Sequence, residues 1–339
     1  MKRRTAIAAA ASLVLASGCA TQSPSLPATP EILRVIVFPG GFNWPIWAAQ
    51  SLGYYERERL AVQITATPNS TFQLKGLIQG DFDVAMTAMD NVIAYREGQG
   101  EAGVEGPDLV AVMGMDNGFL RLVAAPGIDK IADLRGKTLS VDALTTGYAF
   151  VLLEMLDRNG LVLDRDYRTE RAGGVSQRYR ALLEGKHAGT MLITPFDLNA
   201  AERGFKTLGR ANEVLGEYQG VVASVRQGWA RQNPRRVEAY IRATSDAVDW
   251  LYQPENKDEA IRIFLSNMPP GTSASSAETA YRVLLDSKYG FHRKGRLNMD
   301  GIARVAQLRS KFGAKGAAIK PAVAYVDHSY LDGAIGGGR

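Results

Sequence analysis

The sequence predicts a two-lobed α/β protein in which each lobe is a mostly parallel sheet flanked by helices, with two crossing strands as the hinge. Three observations predict it. From residue 33 onward, short runs rich in Val, Ile and Leu alternate with helical patterns, as strands joined by helical crossovers do. The alternation runs to about residue 116 and restarts near residue 120. The 321 residues beyond the first 18 also exceed the roughly 250–300 that one hydrophobic core supports.

Each element has a local reason. Leu33-Arg34-Val35-Ile36-Val37-Phe38 reads as a strand, and Gly40-Gly41-Phe42-Asn43 as a turn in which glycine can take positive φ. Trp44 to Leu52 is a helix, with Pro45 at its start and Gly53 past its end. Leu60 to Thr65 is the second strand, Ser70-Thr71 opens the helix Phe72 to Ile78, and Phe82 to Met86 is the third strand. Asp90-Asn91 starts a helix through Arg96, and Leu109 to Met113 makes a fourth strand. The second lobe begins with the strand Leu120 to Ala124, the short helix and turn Ile131 to Lys137, and the strand Thr138 to Val141. Thr145-Thr146-Gly147 then caps the helix Tyr148 to Arg158, which stops at Asn159-Gly160. Strands at Tyr167 to Arg171 and Gly189 to Ile193 and helices at Val175 to Leu183 and Asp197 to Arg203 complete that lobe. Tyr218 to Val225 reads as a strand returning to the first lobe, followed by helices at Pro234–Tyr252, Asp258–Ser266, Ser276–Asp286 and Met299–Phe312. The chain is expected to cross between lobes near Asp116 to Phe119 and near Glu217 to Gly220. The expected division is a signal over 1–18, a tether over 19–31, a discontinuous first lobe over 32–117 and 221–339, and a second lobe over 118–220. Met268 to Ser276 reads as a connector, Tyr289 to Arg296 as a basic loop, and Ala317 to Arg339 as a terminal stretch.

The N-terminus carries Lys2-Arg3-Arg4, the apolar run Ala6 to Leu15, and then Ala16-Ser17-Gly18-Cys19. A basic start, a short apolar core and a small-residue cutting site form an export signal. The run is too short to span a membrane, which takes about 20 residues. Thr21 to Pro30, rich in Ser, Thr and Pro, suits an extended tether.

Composition removes several function classes. Losing Lys2, Arg3 and Arg4 lowers the formal charge from +5 to +2, and no basic face is clustered enough to imply nucleic acid as a partner. Cys19 is the single cysteine, so the chain has no internal disulfide, cysteine-rich metal site or CxxC pair. His187, His292 and His328 are scattered, and no metal site is expected. Gly98-Gln99-Gly100-Glu101-Ala102-Gly103 spells GxGxxG, but it follows a helix rather than a strand and reads as a loose surface loop. Gly136-Lys137-Thr138 lacks the first glycine of a phosphate loop, since Ile131 stands there. Asn69-Ser70-Thr71 reads as a loop and helix start rather than a glycosylation site. No cofactor is expected.

Several phrases resemble one family. Gly53-Tyr54-Tyr55-Glu56 with Leu60-Ala61-Val62, then Gly80-Asp81-Phe82-Asp83-Val84-Ala85, then Ile131-Ala132-Asp133-Leu134-Arg135-Gly136-Lys137 resemble, in order and spacing, the solute-binding proteins of ABC importers. The likeness is to their nitrate, sulfonate, taurine and thiamine-pyrimidine-precursor (NMT1-like) group and covers Leu33 to about Leu265. Arg59 stands where that group has glycine. The resemblance implies a type II periplasmic binding protein fold that captures a small polar organic ligand and passes it to a membrane permease driven by a separate ATPase subunit. The ligand implied is a sulfonate, an aromatic carboxylate or a pyrimidine. It also implies a monomer, a periplasmic location and no enzymatic activity. A fungal pyrimidine-precursor synthase shares the likeness but relies on a cysteine-rich segment and histidines that this chain lacks. The N-terminus resembles a lipoprotein signal in which Cys19 is acylated, although Ala16 replaces the usual Leu; an ordinary secretory signal with Cys19 discarded is the alternative. A binding module serving a membrane sensor is the alternative to import.

In open α/β sheets ligands lie beyond the carboxyl ends of the strands, here the cleft between lobes. The loops expected there carry Gly41, Phe42, Asn43, Trp44, Ser70, Thr71, Met89, Asp90 and Asn91 from the first lobe. The second lobe contributes Thr145, Thr146, Gly147, Tyr148, Gly174, Thr194 and Phe196. Hydroxyls and free N–H groups at helix starts suit an anion, though simple N-capping would also explain them. Phe42, Trp44, Tyr148 and Phe196 offer faces for a flat ring, or packing beneath the loops. Asp90 is placed to receive an amine or ring N–H from the ligand, or to cap its helix.

Overall fold

The computed structural model describes residues 29–268, 272–313 and 318–336; the expected signal segment and Cys19 lie outside them. Ten strands form two five-stranded sheets. The first has the order β2 (Leu60–Ala66), β1 (Glu31–Val37), β3 (Val84–Ala88), β10 (Val221–Arg226) and β4 (Leu109–Gly114). The second has the order β7 (Arg168–Arg171), β6 (Thr138–Val141), β8 (Gly189–Leu192), β5 (Arg121–Ala124) and β9 (Lys206–Arg210).

Each sheet has four strands pointing one way and one reversed. β1 pairs in parallel with β2 and β3, while β10 runs antiparallel to β3 and β4. In the second sheet β6 is parallel to β7 and β8, and β5 is antiparallel to β8 and β9. The reversed strand is in both cases the one the chain enters directly after passing between sheets, at residues 115–120 for β5 and 211–220 for β10. A Val-rich strand buried on both faces is what helices on both sides of a sheet require. β1 shows it, with Leu33, Val35, Ile36 and Val37 all buried. Arg34, in the middle of the strand, grips Asp83 ahead of β3 through Nε at 3.1 Å and Nη2 at 2.7 Å.

The longest helix, Pro234–Leu251, begins on a proline at its first turn and buries Val237, Tyr240, Ile241, Thr244, Val248 and Leu251 at helical spacing. It packs on the helix Trp44–Ser51, and Tyr240 stacks on Tyr55 with ring centroids 5.6 Å apart. Among the described residues no helix is long and apolar enough to cross a membrane.

Two readings of the sequence need correction, and two segments it left unassigned take a definite form. Lys206–Arg210 is an edge strand, β9, although its charge and single Leu gave no strand pattern. The α-helix from Met299 ends at Leu308 and continues as a π turn over Arg309–Gly313. Residues 318–336 of the terminal stretch are packed: Tyr325 is buried, Val326 bridges Ala111 of β4, and Ser329–Gly336 is a helix against Pro234–Leu251. The GxGxxG loop is also tied down, since Tyr95 Oη accepts from Ala102 N at 3.1 Å and Gln99 N donates to Ala94 O at 2.7 Å.

Candidate functional site

The carboxyl ends of β1, β3, β6 and β8 face one another and enclose a cavity of about 40 Å³, room for about three waters at ~10–15 Å³ each. Its walls follow from those strand ends. Phe38 and Phe42 come from the segment after β1, Ser70 from the helix after β2, and Met86, Ala88 and Asn91 from the end of β3 and the helix behind it. The second sheet supplies Asp142, Thr146, Gly147 and Tyr148 after β6, Val175 and Arg178 from the helix Val175–Leu183, and Ile193 after β8. Val221, at the start of β10, closes the wall beside the hinge.

The lobes are bonded together around this cavity. Gly41 N donates to Thr194 O and Gly174 N to Pro68 O, both at 2.9 Å, and Ser70 N donates to Asp142 Oδ2 at 3.2 Å. On the far rim Glu101 accepts from Thr145 N at 2.8 Å and from Thr145 Oγ1 at 2.5 Å, and pairs with Arg171. Lys311 of the π turn reaches Glu154 at 2.8 Å and Asp157 at 2.6 Å on the helix Gly147–Asp157. Gly41 and Gly174 permit the two backbone contacts, because a Cβ on either would lie 2.8 Å from Thr194 O or 2.6 Å from Pro68 O.

Two ionisable groups give the cavity its chemistry. Arg178 is 4% exposed and donates to the Gly173 and Met191 carbonyls at 2.9 and 3.2 Å. Burial pushes its pKa down, and the neighbouring Asp142 and Tyr148 pull it up. It has no carboxylate within ion-pair distance among the described residues, so carbonyl dipoles alone balance it at contact range. Asp142 is 8% exposed; Oδ2 accepts from Ser70, whereas Oδ1 has no partner among the described residues. Burial raises the Tyr148 phenol above its usual range, so it is neutral and able to donate. The first turn of Gly147–Asp157 has no side-chain cap, which leaves its N–H groups directed at the cavity end of the helix. At the hinge, Asp116 Oδ1 accepts from Gly118 N at 2.7 Å and Val221 N at 3.4 Å, and Oδ2 is without a partner.

Of the sixteen cleft residues expected from the sequence, Phe42, Ser70, Asn91, Thr146, Gly147 and Tyr148 line the cavity. Gly41, Thr194, Gly174 and Thr145 instead make the interlobe bonds described above. The rest serve the scaffold. Trp44 is fully buried, its Nε1 donating to Ala260 O at 3.0 Å and its ring 4.5 Å from Phe264. Phe196 packs on Tyr179, Met89 is fully buried, and Asn43 Nδ2 is spent on Phe38 O. Thr71 donates to Asn69, and Asn69, not Ser70 or Thr71, caps the helix Ser70–Gln79. Thr146 does not cap its helix with its side chain either; the hydroxyl donates to Ala143 O.

Asp90 is the main correction. Both its oxygens are taken by Arg309, Nε at 2.7 Å and Nη2 at 2.6 Å, in a pair whose side chains are 0% and 1% exposed. Fully buried in that pair, Asp90 presents neither oxygen to the cavity. Asp142 does present an unpartnered oxygen there, and sequence reasoning missed it: it directly follows the strand Thr138–Val141, the place a strand-end rule selects, but the hydroxyls from Thr145 onward are the more conspicuous ligand groups. Arg178 was hidden because an arginine on an amphipathic helix looks solvated.

The chain matches the family model described as NMT1/THI5 like over residues 43–257. No curated protein matches it. Among solved structures it is similar to the alkanesulfonate-binding protein SsuA from Xanthomonas axonopodis pv. citri bound to MOPS, at 18% identity and a TM-score of 0.70, covering 89% of this chain and all of that one. The nitrate-binding protein NrtA from Synechocystis PCC 6803 is 13% identical with a TM-score of 0.71, over 90% of this chain and 89% of that one. The ligand-binding component of an ABC-type import system from Staphylococcus aureus, with zinc bound, is 13% identical with a TM-score of 0.73, over 90% and 99%. At these identities the likeness establishes the fold, the type II periplasmic binding protein architecture.

Proposed function

Because this chain belongs to the NMT1/THI5-like family, we propose that it is the extracytoplasmic solute-binding component of an ABC importer. It captures a small polar organic ligand between its lobes and presents the closed form to a membrane permease. The structural neighbours whose names state import, sulfonate binding or nitrate binding support this reading. The observation that carries it is the presence in one interlobe cavity of a buried Arg178, bonded to carbonyls and with no carboxylate at ion-pair distance among the described residues, and the unpartnered Asp142 Oδ1. A buried charge without a partner is costly, and a ligand that supplies the opposite charge removes that cost. Arg178 and the first-turn amides of Gly147–Asp157 take an anionic head such as a sulfonate or carboxylate. Asp142 takes an N–H or O–H of the same molecule, and Phe38, Phe42 and Tyr148 cover its apolar part. No bond is made or broken; exclusion of water on closure supplies affinity.

The reading extends to the chain's organisation. Residues 32–117 and 221–339 form one lobe, 118–220 the other, and 19–31 a tether carrying a lipid on Cys19 that keeps the exported protein at the membrane. The test is a thermal-shift screen of the chain from Thr21 against sulfonates, aromatic carboxylates, pyrimidines and nitrate. A ligand at 100 times its Kd adds about 2.7 kcal/mol of stability. Arg178→Gln is expected to abolish the shift from anionic ligands without lowering the ligand-free midpoint. A shift that survives in Arg178→Gln rules out the anion assignment.

A further inference from the structure

The loop that spells GxGxxG, residues 97–103, is absorbed by no part of the cavity, yet it is built as a rigid arm. Tyr95 holds Ala102 N, Arg309 Nη1 donates to Gln99 Oε1 at 3.0 Å, and Tyr325 Oη donates to Glu97 at 2.9 Å. A Cβ on Gly100 would lie 2.4 Å from the Tyr95 ring, so the loop lies flat on that side chain. From this arm the Glu101 carboxylate reaches the other lobe.

What it reaches is the residue just ahead of the cavity-lining helix start. Thr145 is exposed, and each of its polar groups is bonded outside its own lobe. N–H and Oγ1–H donate to Glu101, and the carbonyl accepts from Arg309 Nη2 at 2.7 Å. Nothing in the second lobe holds it by a polar contact. Gly147, two residues on, lies so close to Asp90 that a Cβ there would be 2.3 Å from the Asp90 Cβ. The start of this helix is therefore held to the first lobe by Glu101 and the Asp90–Arg309 pair, as its later turns are by Lys311.

We infer that Glu101 is a positioning residue for ligand capture: its carboxylate clamps Thr145, and with it the amide groups of Thr146, Gly147 and Tyr148, against the first lobe. Arg171 is the clamp's second anchor, since it pairs with the other Glu101 oxygen. The clamp engages without touching the ligand and so biases the lobes toward closure before ligand arrives. The inference rests on the capture-by-closure reading, but its test uses no ligand.

The chain from Thr21 has no cysteine, so Lys75→Cys on the first lobe and Arg180→Cys on the second give a clean dye pair for single-molecule energy transfer. Amide hydrogen exchange at Thr145 is the second readout. Glu101→Gln is expected to speed Thr145 exchange roughly tenfold, the loss of one charge-assisted hydrogen bond. It should also raise the population with long interlobe distance while leaving the thermal midpoint within about 2 °C, as for a partly exposed rim position away from the core. Arg171→Gln, which leaves the Thr145 bonds in place, should give a smaller shift in the same direction, and it alone decides the matter if Glu101→Gln does not fold. Interlobe distances and Thr145 exchange equal to those of the parent chain in both variants overturn the inference. A ligand found in the screen together with that result would overturn the clamp and leave the capture reading intact; a clamp effect with no ligand in the panel would do the reverse.

Discussion

Removing Asp90 should be among the most damaging single substitutions in this chain. The carboxylate receives two hydrogen bonds from Arg309 at 2.7 and 2.6 Å, and both side chains are essentially without solvent contact. In Asp90→Ala the guanidinium keeps Gln99 Oε1, Thr145 O and the face of Phe150, whose ring centroid lies 5.0 Å away. It loses its only opposite charge at contact distance among the described residues. Breaking one side of a buried pair costs about 3–5 kcal/mol, a large part of the ~5–15 kcal/mol that holds a typical protein folded. At about 1.5 °C per kcal/mol for a chain of roughly 320 residues, calorimetry should show the midpoint falling by about 5–8 °C. The reasoning attributes the loss to an uncompensated charge, so the double variant Asp90→Ala with Arg309→Met should recover most of it, because apolar replacement of a buried pair is often near neutral. A fall of less than about 1 kcal/mol in Asp90→Ala, or a double variant as unstable as the sum of the two singles, would refute the account.

Asp116 and His292 give a pH signature. Burial pushes the Asp116 carboxyl up to about 7, so between about pH 4 and 7 the folded chain holds a proton that the unfolded chain has released, and stability falls as pH rises, by up to about 1.4 kcal/mol per unit. Burial pushes His292 down to about 4, so between about pH 4 and 6.5 the unfolded chain binds a proton the folded one refuses, and stability rises with pH. Asp116→Asn should therefore stabilise the protein above pH 7 and unmask a rising slope below 6.5 in calorimetry across pH; superimposable curves would sink the assignment. For the N-terminus, Cys19→Ser should abolish incorporation of labelled fatty acid and move the protein from the membrane to the soluble fraction; unchanged fractionation would favour the ordinary secretory signal.

The fold was legible because its signals are local and repeated. Hydrophobic runs such as Val35-Ile36-Val37 and caps such as Asn159-Gly160 fix elements one at a time, and their alternation implies the sheets. β9 escaped because an edge strand of Lys206-Thr207-Leu208-Gly209-Arg210 is paired on one side only and needs no apolar face. The cavity was legible only to the level of loops. Strand-end logic found the segments of Phe42, Ser70, Asn91 and Thr146 to Tyr148, but it could not say which side chains turn inward. Whether Asp90 or Asp142 has a free oxygen is decided by Arg309, 219 positions away in sequence from Asp90. Such long-range pairing leaves no trace in spacing or composition.

The reversed strands explain why hinge and cavity lie side by side. Four strands of each sheet end at the cleft, whereas β5 and β10 begin there because the chain enters them from the opposite lobe. The first residues of β10 thus belong to hinge and cavity at once: Val221 lines the cavity while its N–H is bonded to Asp116 in the other crossing segment. Gly220 must be glycine for that approach, since a Cβ would lie 2.0 Å from Asp116 Oδ1. On the proposed capture reading, ligand pressing on Val221 would act on the two crossing segments directly, and rotation of the lobes would change the Asp116 environment and the cavity wall together, the coupling between occupancy and closure that capture requires.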